Sequence, residues 1–116
     1  SGGEVIDMRK DMFYRCMRNE KGEIVALRTF GYSEGNIGIH QEGSFWVATH
    51  IPTGMLISLY NKTKNNALKE ALKLIAERQD FDEKIKDVME SDGFKKFNDS
   101  RHKQSTMTIR REKTDD

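Results

Sequence analysis

The chain holds one cysteine, Cys16, so no disulfide can form within it, and a reducing, cytoplasmic compartment is the expectation. No apolar run approaches the ~20 residues of a membrane-spanning helix, and the start lacks the basic-then-apolar order of a signal peptide. Export and membrane insertion are therefore not expected. Neither sign of charge dominates: 20 Lys and Arg face 19 Asp and Glu, a formal charge of +1, far from the basic balance of a dedicated duplex-DNA binder. There is one proline, Pro52, and no internal repeat or linker. Motifs of common chemistries are missing as well. The chain has no Gly-x-Ser-x-Gly elbow, no phosphate-binding glycine loop before Lys-Ser or Lys-Thr, and no His-Glu-x-x-His helix.

What is present is a polar chain of 116 residues, 35% hydrophobic and 34% charged, with its aromatic and β-branched residues gathered into definite segments. That length suits one domain with one core. Ser1, Gly2 and Gly3 read as the scar of a cleaved tag and are set aside.

Met12 to Arg18 is rich in aromatic and long apolar residues, Asn19 to Gly22 supplies turn chemistry, and Glu23 to Phe30 resumes the apolar pattern, which together predict a β-hairpin. Breakers from Gly31 to Asn36 and again from Gln41 to Ser44 bracket a short strand around Ile37 and Ile39. Phe45 to Ile51 alternates cleanly, with Phe45, Val47, Thr49 and Ile51 on one face and Trp46, Ala48 and His50 on the other. Pro52-Thr53-Gly54 then turns the chain into Met55 to Tyr60.

After Asn61 the apolar period changes from two to about 3.6. Ala67, Leu68, Ala71, Leu72 and Ile75 share one helical face, with Thr63 or Asn61 as N-cap. Asp80 and Glu83 have capping-box spacing ahead of the stripe Phe81, Ile85, Val88 and Met89, and Ser91-Asp92-Gly93 ends that helix. Phe94 and Phe97 fit one or two further turns.

The expected fold class is α+β: an antiparallel sheet of four or five short strands followed by two or three helices packed on one face. Residues 4–99 form the expected single domain, and residues 100–116 a mobile, mildly basic tail carrying Arg101, Lys103, Arg110, Arg111 and Lys113. The expected core is Phe13, Val25, Leu27, Phe45, Val47, Ile57, Leu68, Leu72, Ile75, Phe81 and Ile85. A one-residue error in register would instead bury the Trp46 face.

Three histidines and Cys16 are the residues with catalytic or ligating chemistry. His40 and His50 lie on different strands, but no compact His, Cys and carboxylate spacing completes a zinc set, and ordinary strand imidazoles explain them as well. His102 falls in the expected tail. Strand alternation sends Arg15 away from Cys16, which reads better as a small buried hydrophobe than as an activated thiolate. No cofactor and no metal is expected.

A binding surface is the stronger expectation. Aromatic strand residues beside cations can stack bases and meet phosphates. Tyr14, Trp46 and Tyr60 on an uncovered sheet face, with Arg15, Arg18 and Arg28, would make such a platform, extended by Lys62 and Lys64 at the first helix and by Arg101, Arg110 and Arg111 in the tail. Cross-strand packing is the competing explanation of the rings, and a solvated helix face that of the lysines.

From Ser44 to Ile75 the order strand, Thr53-Gly54 turn, strand, Lys62-Thr63-Lys64 and helix resembles small accessory proteins of bacterial phages and plasmids, and is similar to the arm-type DNA-binding modules of tyrosine integrases. The resemblance spans under a third of the chain and assigns no functional residue. What it implies is a mobile-element accessory protein. The expected function is thus a non-enzymatic binding module, with nucleic acid ranked first. A protein-binding accessory or inhibitor of a host system comes second, and an enzyme using His40, His50 or Cys16 last. Self-association through a strand edge or a helix face is left open.

Overall fold

The computed structural model describes residues 8–114, with side chains described as far as Thr106. Five antiparallel strands, β1 (Arg9–Arg18), β2 (Ile24–Glu34), β3 (Ile37–Glu42), β4 (Phe45–His50) and β5 (Met55–Asn61), lie side by side in chain order. Three helices follow: α1 (Lys64–Glu77), α2 (Phe81–Met89) and α3 (Asp92–Thr114). The architecture is α+β, as the change of apolar period implies. No helix among the described residues is long and apolar enough to cross a membrane.

Local chemistry sets the turns. The Asn19 side-chain oxygen accepts from the amides of Lys21 and Glu23 at 3.0 and 2.9 Å, folding the β1–β2 hairpin around itself. At the β4–β5 turn Gly54 takes φ +68°, a conformation that strains any side chain, and the Phe97 ring occupies the space where its Cβ would lie. Thr63 is the N-cap of α1, its hydroxyl accepting from the amide of Asn66 at 3.1 Å. The capping box expected at Asp80 does not form. Its carboxylate instead accepts from Arg78 Nε at 3.0 Å, and only its backbone carbonyl, accepting from the Lys84 amide, opens α2. Ser91 serves both neighbouring helices, donating to the Val88 carbonyl and accepting from the Phe94 amide.

β1 and β2 pair along their whole length, whereas β2 and β3 pair only over Tyr32–Glu34 and Ile37–Ile39. The long hairpin is therefore free to curl back over the rest of the sheet. Phe13 reaches across β2 to lie on Gly38, where a Cβ would sit 2.7 Å from the ring. At the far end the Cys16 amide donates to the Gly54 carbonyl at 2.8 Å, so edge strand β1 touches the turn that leads into edge strand β5. The sheet is a half-closed barrel with one convex, helix-covered side and one concave, open side.

The convex side carries two cores. Ala67, Leu68 and Ala71 of α1 bury Ile37, Ile39 and Ala48, and Trp46, Ile57 and Ile75 pack around them. Phe97 of α3, fully buried, packs against Tyr14 and Ala26. The helix that carries Phe97 runs on through the stretch expected to be a mobile tail, and the boundary expected at Asp99 falls inside it. Ser100 accepts from the Ala26 amide at 3.0 Å, Gln104 donates to the Ala26 carbonyl at 2.6 Å, and Ser105 lies 3.5 Å from the Tyr14 hydroxyl. Polar anchors hold this part of α3, which is why it shows no apolar rhythm.

Curvature also changes which strand residues are inside. Phe13, Val47 and Leu68 are core residues as expected, but Leu27, Phe45 and Leu72 are exposed. Neither choice of face for β4 is complete. Ala48 and His50 are buried under the helices, while Val47 and Thr49 are buried inside the curl, and only the Phe45 end reaches solvent.

Candidate functional site

The concave side is the surface that no helix covers. Its floor comes from alternate residues of β1, β3 and β4: Phe13, Gly38, His40, Val47 and Thr49, four of them with buried side chains. Above the floor, Arg15 reaches over β2 to Glu42, with Nη1 3.3 Å from Oε1, while its Nε donates to the Thr29 hydroxyl at 2.9 Å. The guanidinium is therefore fixed by two partners and its side chain is mostly buried. A hollow of about 210 Å³ lies beside this pair, lined by Val47, Thr49, Gly54, Leu56 and Leu59. Small-molecule sites usually enclose about 300–1,000 Å³, so this one suits one inserted side chain better than a cofactor.

Met17, Leu56 and Leu59 line the hollow, and Leu27 and Phe45 are the strand partners of Arg15 and Glu42 beside it; all five are exposed to 39% or more. Tyr60, 71% exposed, stands edge-on to Phe45 with ring centroids 5.2 Å apart, and has φ +63°, the one non-glycine residue with positive φ among those described. A bulged register between β4 and β5 accompanies this irregularity. Past the lips formed by Met17 and Leu56 a second groove, of about 690 Å³, runs over Ile24, Val88 and Phe94 at the α2–α3 junction.

The residues singled out as a nucleic-acid platform do not share a surface. Tyr14 is buried under α3, and Trp46 is half-buried on the side that α1 covers; both belong to the convex face, opposite to the uncovered one. Register explains this, because Tyr14 and Trp46 have the parity of Ala26 and Ala48, which the helices cover. Tyr60 alone of the three rings stands at the open side. Arg15 is inside the curl on Glu42, and Arg18 donates to the Gly22 carbonyl at 2.7 Å within its own hairpin. Arg28 is exposed opposite Tyr14. Lys62 is exposed where β5 ends, and Lys64 stacks 3.9 Å from the Tyr32 ring centroid.

Arg101, expected in a free tail, lies over the Phe97 ring and donates to the Ile51 and Pro52 carbonyls, tying α3 to the β4–β5 turn. Burial lowers its pKa from the ordinary arginine value. Arg110 and Arg111 lie on α3, but their side chains fall outside those described, as do residues 115–116.

His40, His50 and Cys16 do not converge into a catalytic arrangement. His40 is 4% exposed in the concave floor, with the Phe13 ring tilted edge-on to it and Glu42 Oε1 3.5 Å from its Nε2, and neither ring nitrogen makes a hydrogen bond among the described residues. Burial pushes its pKa down, the Arg15 charge adds to this, and Glu42 opposes both. His50 lies on the other face, its Nδ1 2.8 Å from the Thr53 hydroxyl and its ring edge-on to Phe81. Burial lowers its pKa too. The Cys16 thiol is raised by burial, which Arg18 offsets in part, so a thiolate is disfavoured. His102 is exposed on α3. No cluster of three metal-ligating side chains occurs among the described residues.

Sequence reasoning passed over the apolar rim. Its signal was present in β5, where seven residues from Met55 to Asn61 include no charge and no proline, and in Leu27 and Phe45, which were assigned to the core because alternation reports a face without reporting curvature. No protein-family model matches the chain, and no curated protein or solved structure matches it either.

Proposed function

We propose that this chain is a non-enzymatic protein-binding module whose contact surface is the open side of its curled sheet. One observation carries the reading: exposed Met17, Leu56 and Leu59 line a hollow the size of a side chain beside the fixed Arg15–Glu42 pair, whose strand partners Leu27 and Phe45 are exposed too. Protein contact surfaces are enriched in aromatic residues, methionine and arginine, and their energy is concentrated where a side chain of one partner fills a pocket of the other. The partner that fits presents an apolar side chain to the hollow and a polar group to the exposed Glu42 carboxylate. With the resemblance to phage and plasmid accessory proteins, that partner is a host protein.

Nucleic acid, ranked first on sequence, is displaced because Arg15, Arg18, Lys64 and Arg101 are engaged within the fold and Tyr14 is buried. A photo-crosslinking residue at Leu27 or Leu59, compared with one at Lys69 on α1, tests the reading in a bacterial lysate. The same protein captured from both rim positions and not from Lys69 supports it. No adduct at the rim, or tight oligonucleotide binding in fluorescence anisotropy that falls steeply with salt, overturns it.

A further inference from the structure

The apolar groove past Met17 and Leu56 adjoins a second one of different chemistry. Arg18, Ile24 and Gly93 line both, and the neighbour, of about 640 Å³, lies between α3 and the tip of the β1–β2 hairpin. The first is walled by Met17, Ile24, Met55, Leu56, Val88 and Phe94. The second gathers Arg18 and Lys21 from the hairpin and Lys96 and Lys103 from α3, against two carboxylates, Glu23 and Asp99. Lys96 and Lys103 are seven residues apart, two helical turns, so they share the side of α3 on which Ser100 holds Ala26. All four cations are exposed, and none forms an ion pair among the described residues, whereas Arg15, Arg78 and Lys95 each have a carboxylate partner.

We infer that these two grooves receive a protein segment in which apolar side chains adjoin acidic ones, the apolar part over Ile24 and Phe94 and the acidic part between Lys21 and the α3 lysines. This rests on the protein-binding reading and names the chemistry of the partner. Three observations select such a segment. Phe94 is the one ring in an otherwise aliphatic groove, which suits apolar side chains and not a stack of bases. Glu23 and Asp99 stand among the cations, opposing an unbroken run of phosphates while leaving spaced carboxylates their places beside the lysines. Arg18 sits where the grooves meet, its Nη1 donating to the Gly22 carbonyl at 2.7 Å, and arginine has further donors in the same plane to offer a carboxylate. Cys16, Met17 and Leu56 line both the concave hollow and the apolar groove, so one segment can cross all three surfaces by side-chain contacts without adding a strand.

Selection of a random peptide library, displayed on phage, against the full chain tests the inference. The expected result is enrichment of peptides with apolar residues beside Asp or Glu. The best of them, labelled with fluorescein, should bind in anisotropy with an affinity that falls as salt rises. Lys96→Glu with Lys103→Glu should weaken it about tenfold, and Lys21→Glu alone by less. Lys69→Glu with Lys73→Glu, exposed on α1, changes the net charge equally and should have no effect. Met55→Ser, in the apolar groove and outside the hollow, should weaken binding without altering its salt dependence. No enrichment, enriched peptides without acidic residues, equal losses for the two lysine pairs, or displacement of the peptide by an oligonucleotide overturns the inference. Leu59→Lys, which touches the hollow alone, separates the two readings. Binding lost with Leu59→Lys and indifferent to Lys96 and Lys103 keeps the hollow as the contact surface and removes the acidic segment, and loss with the lysine variants alone does the reverse.

Discussion

The two cores on the convex side are built from opposite materials. Around α1 the contact is apolar on both sides: Ala67, Leu68 and Ala71 on the helix meet Ile37, Ile39 and Ala48 on the sheet. Around α3 one fully buried ring, Phe97, is surrounded by polar anchors, in which Ser100 and Gln104 hold both backbone groups of Ala26 and Arg101 holds the Ile51 and Pro52 carbonyls. The first core fixes strands that are already neighbours in a meander. The second spans the seam between the β1–β2 hairpin and the β4–β5 turn, where among the described residues the Cys16–Gly54 bond is the one backbone link. Burial of apolar area is non-directional and suits the first task, whereas hydrogen bonds to particular backbone groups fix position and suit the second.

The largest test of this contrast removes the centre of each core. Leu68→Ala should cost about 2–5 kcal/mol and Phe97→Ala about 3–5 kcal/mol in denaturant unfolding, as expected for deleting a large buried side chain. The two variants should differ in where the structure opens. In hydrogen exchange, Phe97→Ala should release β1 and β2 while β3 and β4 stay protected, because α1 still covers the latter. Equal loss of protection over all five strands would mean that the seam and the meander are one cooperative unit, and the division into two cores would fail.

A smaller effect is expected at Gln104. Its amide donates to the Ala26 carbonyl, and Gln104→Ala leaves that acceptor partly buried without this donor, at a cost of about 1–3 kcal/mol. Exchange should accelerate in β1 and β2 and hardly at all in β3 and β4. If the loss is within error of zero, the polar anchors merely accompany Phe97 and the contrast of materials is empty.

The same contrast explains what could be read from the sequence. The strands, their turns and α1 were legible because each rests on a local signal: alternation, Asn19 and Gly54 in the turns, Thr63 as a cap, and an apolar stripe that docks. α3 was legible only at Phe94 and Phe97, since Ser100, Gln104 and Ser105 dock through hydrogen bonds to residues more than 70 positions away, and no periodicity records that. The concave rim was hidden for a geometric reason. Alternation separates Phe45 from Trp46, but whether the Phe45 side is roofed, curled or open depends on how far β2 parts from β3, a property of the whole sheet. The proposed platform failed on that point, because Tyr14 and Trp46 have the parity of the roofed side.

The interior without a helix gives a test with no cost at neutral pH. His40 in the concave floor and His50 beneath α2 both have pKa values lowered in the folded protein, chiefly by burial. Above pH ~6.5, the ordinary histidine value, both rings are neutral whether the chain is folded or not, and their contribution is constant. As pH falls below that value the unfolded chain takes up protons that the folded one refuses, so stability declines with decreasing pH until the lowered folded values are passed, where the decline levels off. His40→Leu should leave stability at pH 5 nearer to that at pH 7 than in the parent, and His50→Leu should do so as well, at the price of the Thr53 contact. Because a protonated His40 would compete with Arg15 for Glu42 Oε1, the acid-sensitive exchange in the parent should appear first in β1 and β3, the strands that carry Arg15, His40 and Glu42. Opening that begins instead at the Pro52-Thr53-Gly54 turn would assign the acid lability to His50 and to the α3 latch, and would make the seam, rather than the floor of the curl, the weakest part of the fold.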